Sequence, residues 1–141
     1  IEGNVYVDGN LTISGGSPVC VINGNLYVNG NVDFNNTAVV NGCVFANGNI
    51  NFKGGGLSLN ATDSVCVYSK TANINMATAS SVVKGIVYAP NGTVSIAGGT
   101  TAFYGNIIAN RVTGIPANLV MRDPDEAFPF IKTTYKLRLV Q

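Results

Sequence analysis

The chain of 141 residues reads as an all-β protein, a parallel β-solenoid, and three observations predict this. A Gly-anchored segment recurs: Gly3, Gly24, Gly42, Val65, Gly85 and Gly105 mark equivalent positions at steps of 21, 18, 23, 20 and 20. A period near 20 is the mark of a unit that buries its apolar face only by stacking on copies of itself. Within each unit apolar residues alternate with others, as in a strand with one buried face. Between the alternating segments stand corners of Asn and Gly, residues that reach the positive φ values a bend requires.

The elements follow in order. After each anchor comes an alternating pair: Val5 and Val7, Leu26 and Val28, Val44 and Ala46, Val67 and Ser69, Val87 and Ala89, Ile107 and Ala109. A corner such as Asp8-Gly9-Asn10 or Asn29-Gly30-Asn31 leads to a second pair: Leu11 and Ile13, Val32 and Phe34, Ile50 and Phe52, Ile74 and Met76, Val94 and Ile96. Two strands and a bend per unit are therefore expected. Asn-Gly also suits hairpins, so an antiparallel meander competes. The same strand returning in the same polarity every 20 or so residues favours stacked coils instead. About six right-handed coils, roughly 30 Å long at about 4.8 Å per coil, are predicted over residues 1–118. Asn10, Asn31 and Asn49 share a register and are placed to hydrogen-bond from coil to coil.

From Leu119 the composition changes, and residues 119–141 read as a tail. Seven of the fifteen charges lie between Arg122 and Arg138, with Pro124, Pro129, Phe128, Phe130 and Tyr135 among them. Ile131 to Val140 alternates as a final strand. It is expected to pack on the solenoid wall, to cap its end, or to pair with a neighbouring subunit.

Composition narrows the function. Charged residues are 11% of the chain against 46% hydrophobic, and the net charge is +1. That is too little to drive counterion release from a nucleic-acid backbone, so no nucleic-acid partner is indicated. No apolar run reaches the roughly 18 residues of a membrane-spanning helix. Ile1 begins within a repeat, without an initiator Met or a signal-like region, and reads as a processed or trimmed start. His is absent, which removes the commonest general base and metal ligand near neutral pH. No metal, cofactor or catalytic residue is expected. Asp8 and Asp33 lie on different sides of a corner without a basic neighbour, unlike the clustered carboxylates of solenoid polysaccharide lyases and hydrolases. Asp123, Asp125 and Glu126 match no complete calcium loop and read as a solvated turn.

The residues between the inward pairs are Tyr6, Tyr27, Phe45, Tyr68, Tyr88 and Ile108, an aromatic stripe on one outer face. Two readings stand: a surface for sugar rings or for another protein, or a second core covered by the aromatic tail. Cys43 and Cys66 occupy one position a coil apart, within disulfide reach. They form a bridge in an oxidising compartment or serve as small apolar residues; Cys20 lies off this register. Sequons at Asn10, Asn35, Asn60 and Asn91 point weakly to the cell exterior.

The segment Gly85-Ile-Val-Tyr-Ala-Pro-Asn-Gly-Thr-Val-Ser-Ile, with Phe103-Tyr-Gly-Asn-Ile-Ile-Ala and Ala117-Asn118 to Asp123, resembles the β-solenoid domain of large pilin-like proteins associated with bacterial type IV pili. The resemblance is best over 85–123, weakens where Arg122 precedes Asp123, and lacks the family's N-terminal pilin helix. It implies a surface-exposed, non-enzymatic module on or near an appendage, engaged in adhesion or ligand capture. More weakly, the Gly- and Val-rich repeats resemble bactofilins, cytoskeletal solenoids that polymerise end to end. The resulting expectation is a structural or adhesive β-solenoid of the cell surface, part of a pilus or filament or displayed on it. The alternatives are a self-polymerising filament subunit, outside or inside the cell, and a carbohydrate-binding or carbohydrate-active β-helix. Partners are thus other copies or filament subunits, or a glycan.

Overall fold

A computed structural model describes residues 1–15, 19–114 and 119–122. All of its regular structure is strand: β1 Val5–Val7, β2 Leu11–Ile13, β3 Cys20–Ile22, β4 Leu26–Val28, β5 Val32–Phe34, β6 Ala38–Val40, β7 Val44–Ala46, β8 Ile50–Ser69, β9 Ile74–Thr113 and β10 Leu119–Arg122. Every strand pairing is parallel. Parallel neighbours 18 to 24 residues apart, with no helical crossover, define a β-solenoid of about five stacked turns.

Each turn carries three strand segments, one more than the sequence pattern predicts. The first stack runs Val5, Leu26, Val44, Val67, Val87. The second runs Leu11, Val32, Ile50, Ile74. The third, absent from the sequence reading, runs Cys20, Ala38, Leu57, Ser81, with Thr101 and Leu119 further up. Alternation fades there because outward residues are apolar too: Val21, Val82 and Val120 are exposed and Val39 is half-buried. The stack also extends past the expected end of the repeat at 118, since β10 adds a rung on Thr101–Tyr104. The final strand expected over 131–140 and the acidic trio at 123–126 lie outside the described residues.

Inward positions form one continuous core along the axis. Leu26, Val44, Val67 and Val87 are fully buried in the first stack, as are Val32, Ile50 and Ile74 in the second. Phe34 and Phe52 stack inside with ring centres 4.9 Å apart. Each such side chain contributes roughly 1.5–3 kcal/mol by burial. Buried hydroxyls are satisfied: Ser69 Oγ donates to Gly48 O at 2.8 Å and accepts from Ala72 N at 3.2 Å, and the Thr78 and Ser81 hydroxyls pair with each other.

The anchor glycines are fixed by the stacking itself. Gly42 sits at φ +159° with no room for a side chain, because a Cβ would lie 2.3 Å from the carbonyl oxygen of Gly24 one coil below. Gly105 repeats the arrangement over Gly85, at φ +144° and 2.0 Å. Only glycine lets the backbones approach at inter-coil spacing here.

Candidate functional site

The outer surface of the first stack carries two columns of side chains, set by strand alternation. Tyr6, Tyr27, Phe45, Tyr68 and Tyr88 stand in register, one per coil. Two residues on, Asp8, Asn29, Asn47 and Lys70 form the neighbouring column. Both columns, Tyr88 apart, line a groove of about 510 Å³.

The rings stack on one another along the axis. Centroids are 4.9 Å apart for Tyr6 and Tyr27, 5.1 Å for Tyr27 and Phe45, and 5.3 Å for Tyr68 and Tyr88, all near parallel; Phe45 meets Tyr68 edge-on at 6.2 Å. Parallel stacking at this distance covers the ring faces and turns their edges outward. Tyr6 is the most exposed ring of the stripe, at 73%. Four of the five rings are half-buried by the column itself.

The polar columns are hydrogen-bonded ladders. Asn29 Nδ2 donates to Asp8 Oδ1 at 3.0 Å, and Asn47 Nδ2 donates to Asn29 Oδ1. On another edge Asn23 donates to Glu2 Oε1 at 2.6 Å, Asn41 to Asn23 at 2.7 Å and Asn60 to Asn41 at 2.9 Å. A third ladder runs from Asp33 through Asn51 to Asn75, at 3.0 and 2.7 Å. Each begins with a carboxylate on the lower coil. Because a carboxylate only accepts, the first amide must turn its N–H toward it, and its oxygen then faces the next amide above. The acid at the foot thus orients every rung.

Two further ladders bind backbone. The expected Asn10 register is present: its Oδ1 accepts Asn31 N at 2.8 Å, Asn31 accepts Asn49 N at 2.7 Å, Asn49 accepts Asn73 N at 3.1 Å, and Asn73 accepts Thr93 N at 2.8 Å. Asn4 and Asn25 likewise take Asn25 N and Cys43 N, both at 2.9 Å. These bonds satisfy corner amides that no strand ladder reaches.

One sequence expectation is corrected. Asp33 has a basic neighbour, Lys53 Nζ at 3.1 Å, because the residue two beyond its stacking partner Asn51 lies alongside it. Asp33 is committed to this pair and its ladder. Among the sequon residues, the Asn60 and Asn91 amide nitrogens already donate, to Asn41 and to Lys70 O, whereas Asn35 is exposed.

Cys43 and Cys66 stand one coil apart, each just before the paired Val44 and Val67. Both are buried, Cys20 is half-buried, and all three are free. Cys43 Sγ lies 3.6 Å from Ser64 Oγ, and Cys66 Sγ donates to Ile86 O at 3.4 Å. Burial, followed by the neighbouring Cys43, pushes the Cys66 thiol from its ordinary 9.0 up to about 12. It is an inert thiol at neutral pH. Among the described residues no three His, Cys, Asp or Glu side chains gather as a metal site, and no helix is long and apolar enough to cross a membrane.

Stacked parallel coils with ring and amide columns on the outer wall place the protein in the class of β-solenoid repeat proteins. Residues 1–126 match a family described as Domain of unknown function (DUF7305), and the chain belongs to that family. No curated protein and no solved structure matches it.

Proposed function

We propose that the protein is a non-enzymatic structural or adhesive β-solenoid of the cell surface, part of an extracellular appendage such as a pilus or filament, or displayed on one. The observation that supports this reading is the long outer wall of the first stack, where ring edges and amides repeat coil by coil with little charge. A periodic groove that runs along the wall suits contact with another extended surface. The resemblance over 85–123 to pilin-like solenoid domains leads the same way. Protease and antibody accessibility on intact producing cells tests it: the chain should be cleaved and labelled without lysis. Protection until lysis overturns the surface assignment.

A second reading, a self-polymerising filament subunit that would function equally well inside the cell, is supported by the weaker resemblance of the Gly- and Val-rich repeats to bactofilins. Negative-stain electron microscopy over a concentration series, with and without residues 119–141, separates the two: filaments lost on truncation mark a polymer subunit. Glycan binding, the third reading, falls to the exposed Tyr6 ring beside Asp8. Titration with oligosaccharides should lose its signal in Tyr6→Ala.

A further inference from the structure

The strand alternation that sets the two outer columns also sets the width of the groove between them. Ring and amide positions lie two residues apart along each strand, about 6.6 Å. That separation holds one atomic layer, since a layer in van der Waals contact on both sides needs about 3.5 Å each way. The floor is backbone: Val7, Val28 and Ala46 line the groove while their side chains turn into the core.

The groove is long as well as thin. It runs over four successive rungs, from Tyr6 and Asp8 to Tyr68 and Lys70. Three steps of about 4.8 Å make it about 14 Å long. Tyr6, Tyr27 and Phe45 lie 9° and 5° from parallel between neighbours, whereas Tyr68 meets Phe45 at 75°. The parallel run ends at that turn, and the groove ends with it.

The two walls select an aromatic plane. Because the rings stack along the axis, the column turns their edges sideways, and ring edges carry the positive part of the quadrupole. A flat π-system standing in the groove along the axis presents its negative face to those edges, rung after rung. The opposite wall is uncharged at Asn29 and Asn47, each of which spends an N–H on the axial ladder. A sugar ring, puckered and with hydrogens on both faces, is thicker than the single layer the groove holds.

Charge gives the ligand a direction. Lys70 stands exposed at the upper end and belongs to no ion pair among the described residues, where the pair present joins Lys53 to Asp33. An anionic group at that end of the ligand meets it, and Asp8 at the lower end opposes a second anion.

We infer that the groove is a binding site for a flat, elongated aromatic molecule with one anionic end. The molecule lies along the axis between the Tyr27 and Phe45 rings and the Asn29 and Asn47 amides, with its anion at Lys70. This goes beyond the surface reading above and does not depend on it: protease protection on intact cells would remove the surface assignment and leave the groove's ligand standing.

The test is fluorescence titration of the full chain with trans-stilbene-4-carboxylate, which is flat and extended, and with its cis isomer, which is neither. The trans isomer should bind saturably, one per chain, at least about tenfold tighter than the cis. Lys70→Glu should weaken it about fivefold, and Lys70→Gln should abolish the salt dependence seen in wild type. Tyr27→Ala should weaken it about tenfold, with the fold checked by circular dichroism. Val82→Gln, in the apolar groove of about 340 Å³ on the third stack, should leave it unchanged. Absence of saturable binding, equal affinity for the two isomers, indifference to the Lys70 and Tyr27 variants, or loss in Val82→Gln overturns the inference. So does a linear oligosaccharide whose binding is lost in Tyr27→Ala and Lys70→Glu while the stilbene does not bind, which would give the groove to a glycan.

Discussion

The lower coils and the upper coils solve one problem by different means. Below Ile50 the strands are three residues long, separated by Gly and Asn corners, and amide ladders hold each corner to the next. Above it β8 and β9 run 20 and 40 residues, with backbone pairing carried around the bends. Their sequence is richer in Ser, Thr and Ala, and the ladders traced above end at Asn60, Asn75 and Thr93. A one-residue slip would turn every inward side chain outward, so register must be specified somewhere. In the lower coils side chains specify it at the corners; in the upper coils the continuous strand does.

The comparison can be broken first at the shared element, the glycine column. Gly42→Ala in the lower coils and Gly105→Ala in the upper should each cost more than about 3 kcal/mol in urea unfolding, since backbone must move in both. A marked difference between them would show that one half tolerates wider coil spacing. Next, Phe34→Ala and Phe103→Ala remove buried rings from the two regions. Each is expected to lose about 3–5 kcal/mol, with the larger value at Phe34, which also stacks on Phe52.

A pH series isolates Cys66. Its thiol is raised in the fold, so the unfolded chain releases the proton first. The stabilisation is complete below pH 9 and is lost as pH rises toward 12, by up to about 4 kcal/mol. Cys66→Ala should remove that part of the alkaline loss, measured as the difference between the two unfolding profiles.

Smaller effects sharpen the contrast itself. Asn31→Ala deletes the acceptor of Asn49 N and should cost about 1–2 kcal/mol by thermal unfolding. Thr93→Ala, at the ladder's upper end, should cost less than about 0.5 kcal/mol, because its backbone N–H to Asn73 survives. Lys53→Ala removes an exposed ion pair and should change stability by under about 0.5 kcal/mol, vanishing in salt.

Much of this was legible in the sequence where chemistry repeats at a fixed offset. Gly, Asn and the ring positions did so, and the period, the inward pairs and the Asn10 register follow from them. The third strand stack was not legible, because Val21, Val39 and Val82 fill outward positions and erase the alternation. Ring positions could be read, yet their face-to-face stacking depends on coil spacing and side-chain tilt. Lys53 beside Asp33 becomes readable only once the 18-residue step between these two coils is known. The carboxylate feet were visible as letters, but their role appears only when the direction of each amide is known.

The hydrogen bonds that join the coils run along the solenoid axis, and this has a mechanical consequence. A pull from end to end loads every inter-coil interface equally and in series, so the poorest one yields first. Pairing between β8 and β9 is interrupted between Asn60 and Val65 and again between Val65 and Val67, which marks that interface as the yield point. Each coil of about 20 residues released there would add roughly 65 Å of chain while the remaining coils stay folded. Under tension such a rod lengthens in steps before it parts.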